Sequence, residues 1–190
     1  MVGSSVRTVL PSLLVGGWVT VLAVAVPSYS AGGPASDPFA ALRVNRTAGD
    51  APITPFDLKN LDGRMIGSYE LRGKVILVNF WATWCGPCKE EMPSLSRLQS
   101  QFDPGQFQVV TITTDRHPQG IKQFLDHLGI RLPVLFDEQE DVSRSFMVRG
   151  LPTTVLVSAD GKAVGRAVGP RAWDSEESVA LVRHLLAGMK

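Results

Sequence analysis

Apolar residues recur along this chain with two different periods, and the alternation between those periods outlines a fold. Residues 74–81 read KVILVNFW and residues 107–113 read FQVVTIT. Runs this short and this continuously apolar suit strands buried on both faces, the central parallel strands of a sheet. Elsewhere the spacing is helical. Residues 85–101 predict one helix. Ile121, Phe124, Leu125 and Leu128 share one face and predict a second over 120–128. A short strand is expected at 132–136 and another helix at 142–148. Residues 153–157 and 163–168 predict two strands joined by a turn at Asp160-Gly161, adding an antiparallel edge. A last helix is expected from Asp174, with the aspartate as its cap and Glu177 three residues on. Val179, Val182 and Leu186 line its inner face and Gly188 ends it. Ahead of the first buried strand, 56–58 and 64–66 flank Asp62-Gly63 as a small hairpin. Strands alternating with helices of this length imply an α/β fold, a central mixed sheet with helices on both faces.

The N-terminus is patterned differently. Residues 1–9 carry one charge, Arg7, and residues 10–26 (LPSLLVGGWVTVLAVAV) carry none. As a helix this run would be about 25 Å long, a little short of the ~30 Å hydrocarbon core. Ser28 and Ser30 then offer a small-x-small cleavage pattern. Residues 1–30 therefore read as a secretory signal or as an uncleaved membrane anchor with Arg7 on the cytoplasmic side. Either reading puts the rest of the chain outside the cytoplasm. Residues 31–50, rich in Ala, Gly, Ser, Pro and Asp with no apolar period, read as a linker, and 51–190 as the folded domain.

Composition narrows the function classes. With 44% hydrophobic and 19% charged residues the chain is globular, and its net charge of +1 gives no support for a nucleic-acid partner. It has only 2 cysteines, too few for a disulfide framework or a four-cysteine zinc site. His117, His127 and His184 are scattered and show no ligand spacing, so no metal and no cofactor are expected.

Both cysteines lie in Trp84-Cys85-Gly86-Pro87-Cys88, where a buried strand gives way to a helix. At a helix front the first backbone N–H groups have no helical partner, and the macrodipole adds roughly half a positive charge. A Cys85 thiolate is stabilised there, below the ordinary thiol value of ~8.5. Lys89 on the next turn adds cationic field. Pro87 suits the first turn, where its missing N–H costs nothing, and Gly86 completes the two-residue spacer that lets the sulfurs meet. Cys85 is then the exposed attacking thiol and Cys88 the more buried resolving thiol, closing a Cys85-Cys88 redox disulfide. Rival readings are half of a zinc knuckle, a static structural disulfide, and a thiol pair that delivers a soft metal such as copper. A peroxidase reading asks for Pro-x-x-x-Thr-x-x-Cys. The matching positions hold Val78 and Ala82 before Cys85, and Trp81 and Cys85 before Cys88.

Residues 78–93, VNFWATWCGPCKEEMP, resemble the thioredoxin superfamily, and within it the TlpA/ResA-like thiol–disulfide oxidoreductases, redoxins with an AhpC/TSA-like domain. Residues 150–154 (GLPTT) and 169–173 (GPRAW) support the likeness, and the interval from Cys88 to Pro152 leaves room for an extra strand–helix insertion. The resemblance implies that Pro152 is cis and faces the cysteines, exposing the Leu151 backbone to an extended substrate. The residues alone favour an ordinary proline at a strand start. Trp81 reads as core and Trp84 as a candidate substrate platform. Asn79 stands where thioredoxin has a buried aspartate. An amide cannot carry protons, which passes that task for Cys88 to Glu91, unless Glu91 is simply a solvated helix-face carboxylate. The resemblance further implies a reductant in the bacterial cell envelope, periplasmic or on the outer face of the inner membrane. Its partners would be disulfide-bearing secreted proteins, apocytochrome c among them, and a membrane electron donor of the CcdA or DsbD kind. A peroxiredoxin-like antioxidant and a copper-delivery module are the alternatives.

Overall fold

A computed structural model describes residues 37–47 and 52–189. The chain runs α1 (Pro38–Ala41), β1 (Asn45–Arg46), β2 (Asp57–Asn60), β3 (Met65–Gly67), a 3-10 turn at Ser68–Leu71, β4 (Val75–Trp81), α2 (Gly86–Gln99) and β5 (Phe107–Thr113). It continues through α3 (Ile121–His127), β6 (Val134–Phe136), α4 (Asp141–Ser145), β7 (Thr153–Val157), β8 (Ala163–Val168) and α5 (Glu176–Ala187). The sheet order is β1-β8-β7-β4-β5-β6-β2-β3. β4 pairs in parallel with β5, and β5 with β6. β7 runs antiparallel to β4, β8 to β7 and β2 to β6.

Residues 75–81 are apolar but for Asn79 because β4 is central and covered on both sides, every one of its residues being buried. Val75, Leu77 and Trp81 point into a cluster with Met92, Leu95 and Leu98 of α2, Ile121 and Leu125 of α3, and Val179, Leu181 and Val182 of α5. The alternate residues Ile76, Val78 and Phe80 point the other way, toward Phe56, Leu71, Val142 and Phe146. That is the period-2 geometry of a strand with an apolar layer on each face. Between Cys88 and Pro152 lie β5, α3, β6 and α4, the room expected for a strand–helix insertion.

Three expectations need correction. Residues 31–50 are not all linker. Asp37 caps α1 by accepting the Phe39 N–H, and Phe39, Leu42 and Val44 are buried in the main core. Three apolar side chains among many small and polar ones make no periodic signal, yet they suffice to dock the segment. The β7–β8 hairpin is not the sheet edge either, because β1 from that same segment pairs antiparallel with β8, Asn45 opposite Arg166. The last helix is capped by Ser175, whose hydroxyl accepts the Ser178 N–H, and not by Asp174. The Asp174 carboxylate is taken by Arg97, at 2.6 Å. The apolar run 10–26, and with it the signal-or-anchor reading of residues 1–30, lies outside the described residues. Among the described residues no helix is long and apolar enough to cross a membrane.

Gly165 of β8 shows how tightly the N-terminal segment is docked. A Cβ there would come within 2.9 Å of both Phe39 Cε1 and Val44 Cγ1. Gly165→Ala is therefore expected to loosen residues 37–47 first, at a cost of about 1–3 kcal/mol for overpacking. Amide exchange checks this. The Thr47 N–H, which donates to the Val164 carbonyl, should lose protection, while the β4 and β5 amides keep theirs.

Candidate active site: a dithiol turn with a buried carboxylate behind it

β4 ends at Trp81, and residues 82–84 turn the chain into α2. Cys85 is the N-cap, with extended backbone (φ −86°, ψ 103°) and its sulfur accepting the N–H of Cys88 at 3.3 Å. That N–H is one of the helix-front donors with no carbonyl four residues back. It is aimed at the Cys85 sulfur, where negative charge develops on reduction. Cys85 and Cys88 form a disulfide of 2.02 Å. Cys88 is fully buried, and Cys85 is only 6% exposed in this oxidised form, less than the exposed attacking thiol expected from the sequence; it belongs to the main apolar core cluster. The solvent-facing parts of the turn are Trp84, Gly86 and Pro87, and Lys89 is exposed one turn on. Trp84 is 71% exposed, whereas Trp81 is fully buried and stacks on Phe124 with ring centroids 5.7 Å apart. Pro93 lies inside α2, and the helix continues past it to Gln99.

The Leu151–Pro152 peptide bond is cis. The Pro152 carbonyl accepts the Gly169 N–H at 2.9 Å, which ties the start of β7 to the loop after β8. Leu151 is half-buried and packs against both apolar layers.

Glu91 is not a solvated helix-face carboxylate. It is 2% exposed. Oε1 accepts from Asn79 Nδ2 at 2.8 Å, and Oε2 accepts from the Arg171 backbone N–H at 3.1 Å and from the Trp173 indole N–H at 3.0 Å. Burial pushes its carboxyl above the usual glutamate range, and the hydrogen bonds from Asn79, Trp173 and Arg171 oppose that push. A carboxyl so placed exchanges its proton at higher pH than a surface glutamate, and it sits one helical turn beyond Cys88. Glu90 beside it is exposed. Asn79, fully buried in β4, also donates to Thr154 Oγ1 at 3.0 Å, and its Oδ1 has no hydrogen-bond partner among the described residues.

Sequence reasoning did not find Asp115. Its buried carboxylate accepts from the Thr83 N–H and from the hydroxyls of Thr83 and Thr113, each bond within 2.9 Å. It thereby anchors the turn that carries Trp84 and Cys85 to the end of β5. The available signal was its place: a carboxylate just past the C-terminal end of a buried parallel strand, level with the turn that ends the neighbouring strand. The seat that Arg171 and Trp173 provide for Glu91 had no sequence signal beyond the GPRAW string, since it depends on how the β8–α5 loop folds over α2.

A disulfide at the front of a helix, in a sheet of this topology with a cis-proline at the start of the facing strand, defines a thioredoxin-like thiol–disulfide oxidoreductase. Comparison with known proteins agrees. The sequence profile of the AhpC/TSA family matches residues 49–165, and the chain belongs to that family. It is 30% identical over 147 residues to the thiol-disulfide oxidoreductase ResA of Halalkalibacterium halodurans, covering 77% of this chain and 83% of that protein. With ResA of Bacillus subtilis it shares 32% over 120 residues, 63% of this chain and 66% of the relative. Among solved structures it resembles a protein proposed to be the thiol:disulfide interchange protein DsbE of Chlorobium tepidum. That likeness has a TM-score of 0.65 at 30% identity and covers 77% of this chain and 100% of the other.

Proposed function

We propose that this protein reduces disulfides of other proteins outside the cytoplasm by dithiol–disulfide exchange at Cys85 and Cys88. The observation that carries the reading is the N-cap sulfur of Cys85 facing the Cys88 N–H, with the resolving sulfur and the buried Glu91 behind it on the same helix. The Cys85 thiolate attacks one sulfur of a substrate disulfide, forming a mixed disulfide and releasing the other sulfur as a thiolate. The Cys88 thiol passes its proton to the Glu91 carboxylate and attacks the Cys85 sulfur. This expels the second substrate sulfur and closes the Cys85–Cys88 bond. Two electrons have moved to the substrate, and the chain is left in the oxidised form described here. A dithiol donor must then reduce it, and by resemblance that donor is a membrane carrier of the CcdA or DsbD kind.

The exposed Trp84 ring next to Cys85 supports binding of a partly apolar peptide, and by resemblance the Leu151 backbone before the cis-proline pairs with it in extended form. The substrates are disulfide-bearing secreted proteins, apocytochrome c among them. The apolar run at 10–26 supports a location in the bacterial cell envelope, released by cleavage or held on the outer face of the inner membrane. The Gly-Pro spacer supports the reducing direction, being the dipeptide of thioredoxin, which sits near ~−270 mV. Equilibration with glutathione or dithiothreitol buffers tests it. A potential close to the thioredoxin value is expected, and one near the ~−120 mV of DsbA would overturn the reducing role in favour of an oxidase.

A further inference from the structure

The guanidinium of Arg171 is gripped by backbone carbonyls from two separate parts of the chain. Nε donates to the Leu42 carbonyl at 3.0 Å and Nη2 to the Arg43 carbonyl at 3.3 Å, both just past α1. Nη1 donates to the Gly169 and Pro170 carbonyls at 3.0 and 2.9 Å, within the β8–α5 loop. A planar fork with five fixed N–H donors can bridge two segments in this way, whereas the single ammonium of a lysine cannot. The same loop carries two of the donors to Glu91, the Arg171 N–H and the Trp173 indole. The loop is also attached to α2 through Ser94, whose hydroxyl accepts the Trp173 N–H at 3.1 Å and donates to the Arg171 carbonyl at 3.4 Å, and through Arg97, which holds the Asp174 carboxylate at 2.6 Å.

We propose that Arg171 is a positioning residue for Glu91: its side chain fastens the β8–α5 loop to the end of α1 and so keeps the Arg171 N–H and the Trp173 indole aimed at the carboxylate. The N-terminal segment at 37–47, which the apolar pattern passes over as linker, thereby becomes part of the support of the redox site. The proposal deepens the reading of Glu91 as the proton acceptor for Cys88 and rests on it for its catalytic meaning. Among the described residues, β4 bonds the Glu91 carboxyl through the neutral Asn79, which in turn bonds the neutral Thr154 of β7. The titratable or charged neighbours are Cys88 on the preceding turn of α2 and Arg171 itself. Freeing the loop removes donors from an ionised carboxylate, and so raises the pH at which it gives up its proton.

The test uses the full chain and two readouts: the Glu91 carboxyl titration followed by ¹³C NMR, assigned with Glu91→Gln, and the pH profile of mixed-disulfide resolution. For Arg171→Ala, both midpoints are expected to rise by about one pH unit, a tenfold smaller ratio of ionised to protonated Glu91 at a given pH. Arg171→Lys keeps the positive charge and loses the bridge, and is expected to move nearly as far. It also carries the test should the alanine variant fail to fold. The proposal is overturned if Arg171→Lys titrates like the natural protein, since charge and not the tether would then be acting. An unmoved NMR midpoint in Arg171→Ala overturns it as well. If Glu91→Gln resolves mixed disulfides at the natural rate and with the natural pH profile, the proton-acceptor reading fails, while the NMR midpoints still decide the tether.

Discussion

Replacing Cys88 with serine is expected to leave a protein that attacks a disulfide once and cannot let go. The reason lies in the first turn of α2. Cys85 caps the helix, and its sulfur already accepts the Cys88 N–H in the oxidised form. When the bond opens, that donor and the front of the helix macrodipole face a sulfur able to carry charge and stabilise its thiolate. Among the described residues no hydrogen-bond donor is aimed at the Cys88 sulfur, and Cys88 is fully buried, which disfavours a charged form. Without the Cys88 sulfur, the mixed disulfide on Cys85 has no internal nucleophile to displace it. On a non-reducing gel, Cys88→Ser should run as covalent adducts with its protein partners. Cys85→Ser should show none, and its insulin-disulfide reduction should fall to the uncatalysed background. More adducts with Cys85→Ser than with Cys88→Ser would reverse the two roles. Mass spectrometry of the trapped adducts would also name the substrates.

Glu91→Gln should separate catalysis from stability. In the proposed cycle the carboxylate takes the Cys88 proton, so the resolving step should slow by about 10²-fold, the lower end of what a positioned base contributes. The first attack by Cys85 should keep its rate. Stopped-flow tryptophan fluorescence with a model disulfide distinguishes the two steps.

Stability should move in the opposite direction. Burial holds the folded Glu91 carboxyl above its ordinary value of 4.5. Between that value and the raised one, the folded chain therefore binds more protons than the unfolded chain. Stability then falls as pH rises through this window, and the loss persists at neutral pH. A glutamine in place of Glu91 has no charge to bury. Its amide oxygen can accept from the Arg171 N–H and the Trp173 indole. Its NH₂ faces Asn79, whose side-chain amide can turn to present the Oδ1 that lacks a partner among the described residues. Thermal melts at pH 4 and pH 8 should show the Glu91→Gln variant losing less stability on the alkaline side than the natural protein. Equal pH dependence in the two proteins would show that Glu91 imposes no burial cost.

How much of the molecule could be read in advance depended on the range over which each feature is determined. The strands at 107–113, 153–157 and 163–168 were read at their true bounds, because an apolar run between turn residues is a local signal. The dithiol turn was legible for the same reason, since two cysteines, a proline and a strand-to-helix change fall within a few residues. The burial of Glu91 was not legible. At 91 the chain shows only a glutamate beside another glutamate, and which of the two turns inward depends on the phase of α2 against β4 and on the loop after β8. Asp115 was missed because the partner that gives it a role, Thr83, reaches it only when β4 and β5 lie side by side, while the bond to Thr113 two residues away looks like any local turn.

By itself the amino-acid sequence determined the α/β architecture, the central strands, the position of the sulfurs at a helix front, and the class of chemistry. These follow from apolar periodicity, helix-capping physics and thiol acidity, all of which act between near neighbours. Only the tertiary structure decided that residues 37–47 close the sheet edge, that Asp115 anchors the redox turn, and that Glu91 is buried among Asn79, Arg171 and Trp173. Each of those depends on at least one contact between residues 32 or more positions apart. No local pattern encodes such contacts, because their energy exists only after the sheet has brought the segments together.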